Sequence, residues 1–157
     1  MEALILTVLL TSVPLILAAT GELIAEKSGV LNLGVEGMML MGAVAAFATT
    51  SLSGNPYFGI ISAALAGGIT AAVFAVFSLG LATNQVATGL ALTIFGAGLS
   101  GLIGAPYVGG TIEGLNALAI PFLSDLPVVG GLLFKLDPLA YFSILILGIV
   151  GYFLTNT

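Results

Sequence analysis

The chain has no cysteine and no histidine, and its only cationic side chains are two lysines. Without cysteine there are no disulfides, thiolate metal sites or thiol catalysis. Without histidine the commonest general base and metal ligand at neutral pH is missing. Lys27 and Lys135, standing alone, make neither a phosphate-binding patch nor a nucleic-acid surface. No Gly-x4-Gly-Lys-Ser/Thr loop is present to cradle a nucleotide. No metal or cofactor is expected, and no nucleophile–base pair of an enzyme can be assembled. Charge of either sign is scarce, at 6% of 157 residues, where a soluble domain carries about 25%. The net charge of −5 comes from scattered carboxylates.

Hydrophobic residues are abundant, at 59%, and the mean hydropathy is +1.27. A surface with so little charge cannot be wetted, so an all-α, polytopic membrane helical bundle is expected. Helices are required because a lone segment in lipid must satisfy its own backbone. Five spans are expected, at about 3–20, 36–52, 57–80, 85–105 and 138–154. Pro14 lies inside the first, where neighbouring helices can satisfy the carbonyl it frees. The competing reading of that run is a signal peptide ending at Ala18-Ala19, but Met1-Glu2 supplies no positive leader. Ser53-Gly54-Asn55-Pro56 and Thr83-Asn84-Gln85 read as turns. Residues 106–137 carry Pro106, Pro121 and Pro127, and their apolar pieces 117–123 and 128–134 are too short to span. Interfacial or re-entrant helices over one face of the bundle are expected there.

Small residues recur at intervals of four: Gly42, Ala46, Thr50; then Ala64, Gly68, Ala72; then Gly89, Thr93, Ala97, Gly101, Ala105. Such stripes let helices approach closely in lipid. The last is the longest and predicts that the fourth helix sits in the middle of the bundle.

The stretch 21–42 is the least apolar part of the N-terminal region and is flanked by long apolar runs. Glu22 and Glu26, four apart, share a face of a helix, and Ser28-Gly29 reads as its stop. Glu22, Glu26 and Lys27 read as a solvated loop with its helix end; alternatively Glu22 and Glu26, with Glu36, belong to a carboxylate pathway. Asn32 and Glu36 are also four apart and share a face if that backbone is helical. Gly34 and Gly37 let the backbone break or another helix come close. Two readings stand for Asn32 and Glu36. One is a polar path through the bundle. The other is a helix N-terminus with Glu36 on the helix dipole. Asn84 and Gln85 likewise suit either a turn or hydrogen bonding to a polar solute.

The segment GELIAEKSGVLNLGVEGMML, residues 21–40, resembles the N-terminal signature of permeases of nucleoside and simple-sugar ABC importers, within the ribose and branched-chain amino-acid permease superfamily. That signature typically reads G-x-I-x-E-[RK]-[SA]-G-V-x-N-[IL]-G-x-E-G-M-M-L. Leu81-Ala82-Thr83-Asn84-Gln85-Val86, followed by Gly89-Leu90-Ala91-Leu92, resembles the family's second block. Pro138, Leu139 and Tyr141 fit a later one.

The resemblance implies a multi-pass component of the plasma (inner) membrane. Its partners would be an ATP-binding subunit, a second permease subunit and an extracellular solute-binding protein. The match corresponds to the N-terminal half of such a permease, with Thr157 about where the coupling loop should begin. Residues 21–35 would be cytoplasmic and 106–137 outward-facing, an orientation that Lys27 and Lys135 do not supply by themselves. A neutral, hydroxyl-rich solute needs hydrogen-bond partners, and the candidates along its path are Asn32, Glu36, Asn84, Gln85, Thr88 and Thr93. Gly34, Gly37, Gly42, Gly68, Gly89 and Gly101 are the candidate packing and hinge positions. The alternatives are a small carboxylate-dependent proton or cation channel or secondary transporter, and a truncated remnant without transport of its own.

Overall fold

The structure, a computed structural model, describes residues 2–118 and 134–156. Its long elements are α1 (Glu2–Lys27), α2 (Val35–Ser53), α3 (Pro56–Ala75), α4 (Gln85–Gly104) and α5 (Pro138–Asn156). All five are long and apolar enough to cross a membrane. No strand occurs among the described residues. The protein is therefore an all-α, multi-pass membrane protein.

Local chemistry explains most helix ends. α1 runs through Pro14 and stops at Lys27, seven residues beyond the end expected at 20. Glu22 and Glu26 thus lie on its last turns rather than in a loop. Its stop is set by Gly29, whose φ of +86° needs the freedom of glycine. There the Gly29 N–H donates to the Glu26 carbonyl at 2.9 Å and the Val30 N–H to the Ala25 carbonyl at 3.0 Å. This is a Schellman cap, which satisfies carbonyls the helix would otherwise orphan. α2 ends at Gly54, φ +68°, whose N–H reaches the Thr50 carbonyl at 2.8 Å. In the next residue, the Asn55 side chain caps α3 by accepting from the Tyr57 N–H at 2.9 Å, with Pro56 in the first turn.

α3 does not stop at Ala75 but widens into a π-helical turn, Val76–Gly80. Thr83 closes this end, both its N–H and its hydroxyl donating to the Phe77 carbonyl at 3.1 and 2.8 Å. Ala82 between them has φ +51°. α4 then starts at Asn84, whose Oδ1 accepts from the Ala87 N–H at 3.0 Å. It ends in a 3-10 turn, Ala105–Tyr107. Residues 108–118, expected to begin a set of interfacial helices, contain no helix. The remainder of that expectation, over 119–133, lies outside the described residues.

The chain divides into two compact units, Ala25–Gly114 and Met1–Ile24 with Leu115–Thr157. In the first unit α2 is central, packing against both α3 and α4, which barely touch each other. Within this unit the central place expected of the fourth helix is taken by α2. α2 and α3 run antiparallel with Gly42 facing the Ala63 backbone. Beside it the Ser62 hydroxyl donates to the Ala45 carbonyl at 3.0 Å. α2 and α4 run parallel, with Gly34 opposite Gly89 at one end and Phe47 edge-on to Tyr107 at the other, ring centroids 6.0 Å apart.

In the second unit Val13, Leu136 and Ala140 are buried together, with Leu6, Leu10, Leu17, Leu139 and Tyr141 packed around them. Asp137 caps α5, its Oδ1 accepting from the Ala140 N–H at 2.7 Å. In the same unit the Leu118 N–H donates to the Leu136 carbonyl at 2.9 Å.

Candidate functional site

The signature stretch folds into a break between α1 and α2. Residues 28–34 are not helical, and α2 begins only at Val35. Asn32 and Glu36 therefore do not share a helix face. A helix through residue 32 fails because Gly29 has already turned the chain. Asn32 instead folds its own backbone: its Oδ1 accepts from the Gly34 N–H at 2.9 Å, an Asx turn that leads into α2. Its amide also lies 3.6 Å from the Met38 sulfur. Glu36 falls in the first turn of α2 and is exposed, where a carboxylate is favoured by the helix dipole.

The break lies against the start of α4. The Gln85 Oε1 accepts from the Leu31 N–H at 2.7 Å, and the Thr93 hydroxyl donates to the Leu33 carbonyl at 2.8 Å. These side chains satisfy backbone groups that no helix serves. Thr88 stays within its own turn, its hydroxyl donating to the Asn84 carbonyl at 2.9 Å and lying 2.8 Å from that of Thr83. Of the candidate path residues, Asn32, Asn84, Gln85, Thr88 and Thr93 each hold a hydrogen bond inside the protein. Only Glu36 has no side-chain partner among the described residues.

The glycines divide sharply. A Cβ on Gly37 would lie 2.5 Å from the Leu92 carbonyl oxygen and 2.8 Å from the Thr93 Cα. One on Gly89 would lie 2.7 Å from the Leu33 nitrogen. Gly34 and Gly42 are close-packed as well, whereas a Cβ on Gly68 or Gly101 would meet nothing described within 4 Å. The α4 stripe is thus used at Gly89 and Thr93 but not as far as Gly101. An interval of four overshoots the 3.6-residue turn by about 40° per step, so by Gly101 the stripe has rotated well off the contact. The face that makes the contact is Gly89, Leu92, Thr93 and Gly96, spaced three and four apart. Gly96 was missed by the interval-of-four reading, although a Cβ there would lie 2.6 Å from the Gly37 backbone. Gly59, which faces Thr50 and the Ala46 carbonyl, was missed too. No cluster of acidic side chains suited to a metal ion occurs among the described residues.

Apolar helices long enough to cross a membrane, with a polar, glycine-lined break between α1 and α2, define the class: a multi-pass helical membrane protein. Residues 4–157 match the family model described as branched-chain amino acid transport system / permease component, and the chain belongs to that family. Over 109 residues, 69% of this chain and 33% of the relative, it is 43% identical to a putative glucose ABC transporter permease protein of Haloferax volcanii. It is 29% identical over 96 residues to a guanosine ABC transporter permease protein of Bacillus subtilis, covering 57% of this chain and 30% of that one. It is 27% identical over 105 residues to a nucleoside ABC transporter permease protein of Lactococcus lactis, covering 63% and 33%. The matched stretches thus span about a third of the length of these relatives. No solved structure matches the chain.

Proposed function

We propose that this chain forms part of the membrane permease of an ABC importer for a neutral, hydroxyl-rich solute, a simple sugar or a nucleoside. The observation that carries this reading is the 43% identity to the Haloferax volcanii permease. The permease makes and breaks no covalent bond. It offers a polar route between helices, and nucleotide-driven closure of a separate ATP-binding subunit shifts it between inward-open and outward-open states. A second permease subunit and an extracellular solute-binding protein complete the assembly in the plasma membrane. The chain supplies the N-terminal part of the permease, with Glu36 its best-placed polar group toward a solute. Asn32 acts through the Asx turn that sets the start of α2.

The test is ATP-dependent uptake of labelled glucose and of labelled guanosine by membrane vesicles holding the assembled complex. Uptake of one of them, with stimulated ATP hydrolysis, is expected. Failure with both, in a complex that forms, overturns the reading. Glu36→Gln is expected to raise the KM for uptake several-fold. If Asn32→Ala and Glu36→Gln leave both uptake and stability unchanged, neither residue belongs to the route. Proton or cation flux through the protein without its ATP-binding subunit, lost on Glu36→Gln, would favour a carboxylate pathway instead.

A further inference from the structure

We propose that Gln85 and Thr93 are positioning residues that clamp the break between α1 and α2 onto α4, so that residues 31–37 and α4 move as one rigid body. The proposal rests on the permease reading for its transport consequence, but the clamp itself is read from geometry. Two side chains distant in sequence serve consecutive parts of one non-helical segment, Gln85 the Leu31 N–H and Thr93 the Leu33 carbonyl. Both backbone groups lie outside any helix, and a break at the edge of an apolar phase leaves them few other partners. Parting the segment from α4 would break both bonds at once.

Beneath these bonds the two segments meet backbone to backbone. A Cβ at Gly37, Gly89 or Gly96 would come within 2.5 to 2.7 Å of main-chain atoms across the seam. At these three glycines only main chain faces main chain, so no side chain can rotate aside there to admit a solute. The seam is closed to transport, and the solute route runs along another face of α2 or α4. The hydrogen-bonding atoms of Gln85 and Thr93 are turned to the main chain of the break, which removes them from the solute-binding set.

The absence of native cysteine permits a clean test. Leu31 and Leu102 are both exposed, and nitroxide labels on Leu31→Cys and Leu102→Cys would report the separation of the break from the far end of α4. That separation is about 25 Å, from a 1.5 Å rise over the helix between Gln85 and Leu102. Pulsed electron resonance on the full complex should give the same distance without nucleotide and when trapped with nucleotide and vanadate. A shift beyond one helical turn, about 5 Å, overturns the rigid body.

Thr93→Val combined with Gln85→Met should broaden the distance distribution. It should also lower the maximal uptake rate roughly thirtyfold, the worth of the two hydrogen bonds removed, with KM unchanged. Thr93→Ser and Gln85→Glu, which keep the donor and the acceptor, should restore both. A rise in KM at unchanged maximal rate would make these residues solute ligands and defeat the proposal. If the unsubstituted complex takes up no solute, the permease reading fails, and the clamp is judged on the label distances of the purified chain with and without the two substitutions. If the double variant does not fold, the comparison of trapped and untrapped states decides alone.

Discussion

Gly37 and Gly68 are both helical glycines at small-residue positions, yet their substitution should have opposite results. Alanine at Gly37 drives a methyl into the Leu92 carbonyl and the Thr93 backbone, neither of which can rotate away. Overpacking of this kind costs about 1–3 kcal/mol, so Gly37→Ala and Gly96→Ala should lower the melting temperature in detergent by several degrees. Gly68→Ala and Gly101→Ala meet open space and should leave it unchanged or raise it slightly, since alanine is the better helix former. Equal effects at the two pairs, read by thermal unfolding, would show that α2 and α4 do not meet as described. At this scale the sequence was only partly legible. It singled out Gly34, Gly37, Gly42 and Gly89, which do face close neighbours, but also Gly68 and Gly101, which do not. A glycine's identity states that a methyl is absent. Whether a neighbour occupies that space depends on the rotation of the helix about its axis.

At the scale of the element, the joint between α3 and α4 carries the unusual backbone. Ala82 sits at φ +51°, a region that L residues enter at a cost of about 1–2 kcal/mol. Ala82→Gly should therefore stabilise the fold by up to about 1 kcal/mol, while Ala82→Val, β-branched, should destabilise it by more than that. A melting series over these variants checks the order glycine, alanine, valine. The caps make a matching prediction. Asn84→Ala and Asp137→Ala each remove a side chain that satisfies a helix N-terminal N–H and should each cost about 1 kcal/mol, whereas Asp137→Asn should cost little. Both ends of α2, α4 and α5 and the start of α3 were legible in the sequence to within two residues, because Gly54, Asn55, Pro56, Asn84 and Pro138 act on neighbours a few positions away; the expected end at 80 is reached only through the π-helical turn that follows α3. The end of α1 was not. Glu22 and Glu26 looked too polar for a span, but a helix that has left the apolar layer continues until something stops it, and here that is Gly29.

At the scale of the molecule, each crossing of the membrane reverses the side on which the chain emerges. The break at 28–34 and the joint at 81–84 should lie on one side and the turn at 54–55 on the other. In this cysteine-free chain a membrane-impermeant thiol reagent should label Ser28→Cys and Leu81→Cys from one face of sealed vesicles and Ser53→Cys only from the opposite face. Labelling of all three from one side would break the assignment of α2 and α3 as spans. The all-α class, the five spans and the family were within reach of the sequence alone. Hydropathy is a sum over consecutive residues, and the signature at 21–40 is a contiguous run, so neither needs a partner from elsewhere in the chain. The tertiary structure decided that α2, not α4, is the central helix of its unit. It also decided that Asn32 shapes a turn, and that Gln85 and Thr93 hold the main chain of a segment more than fifty positions earlier. These facts depend on which faces meet, and faces meet only after helices distant in sequence have packed.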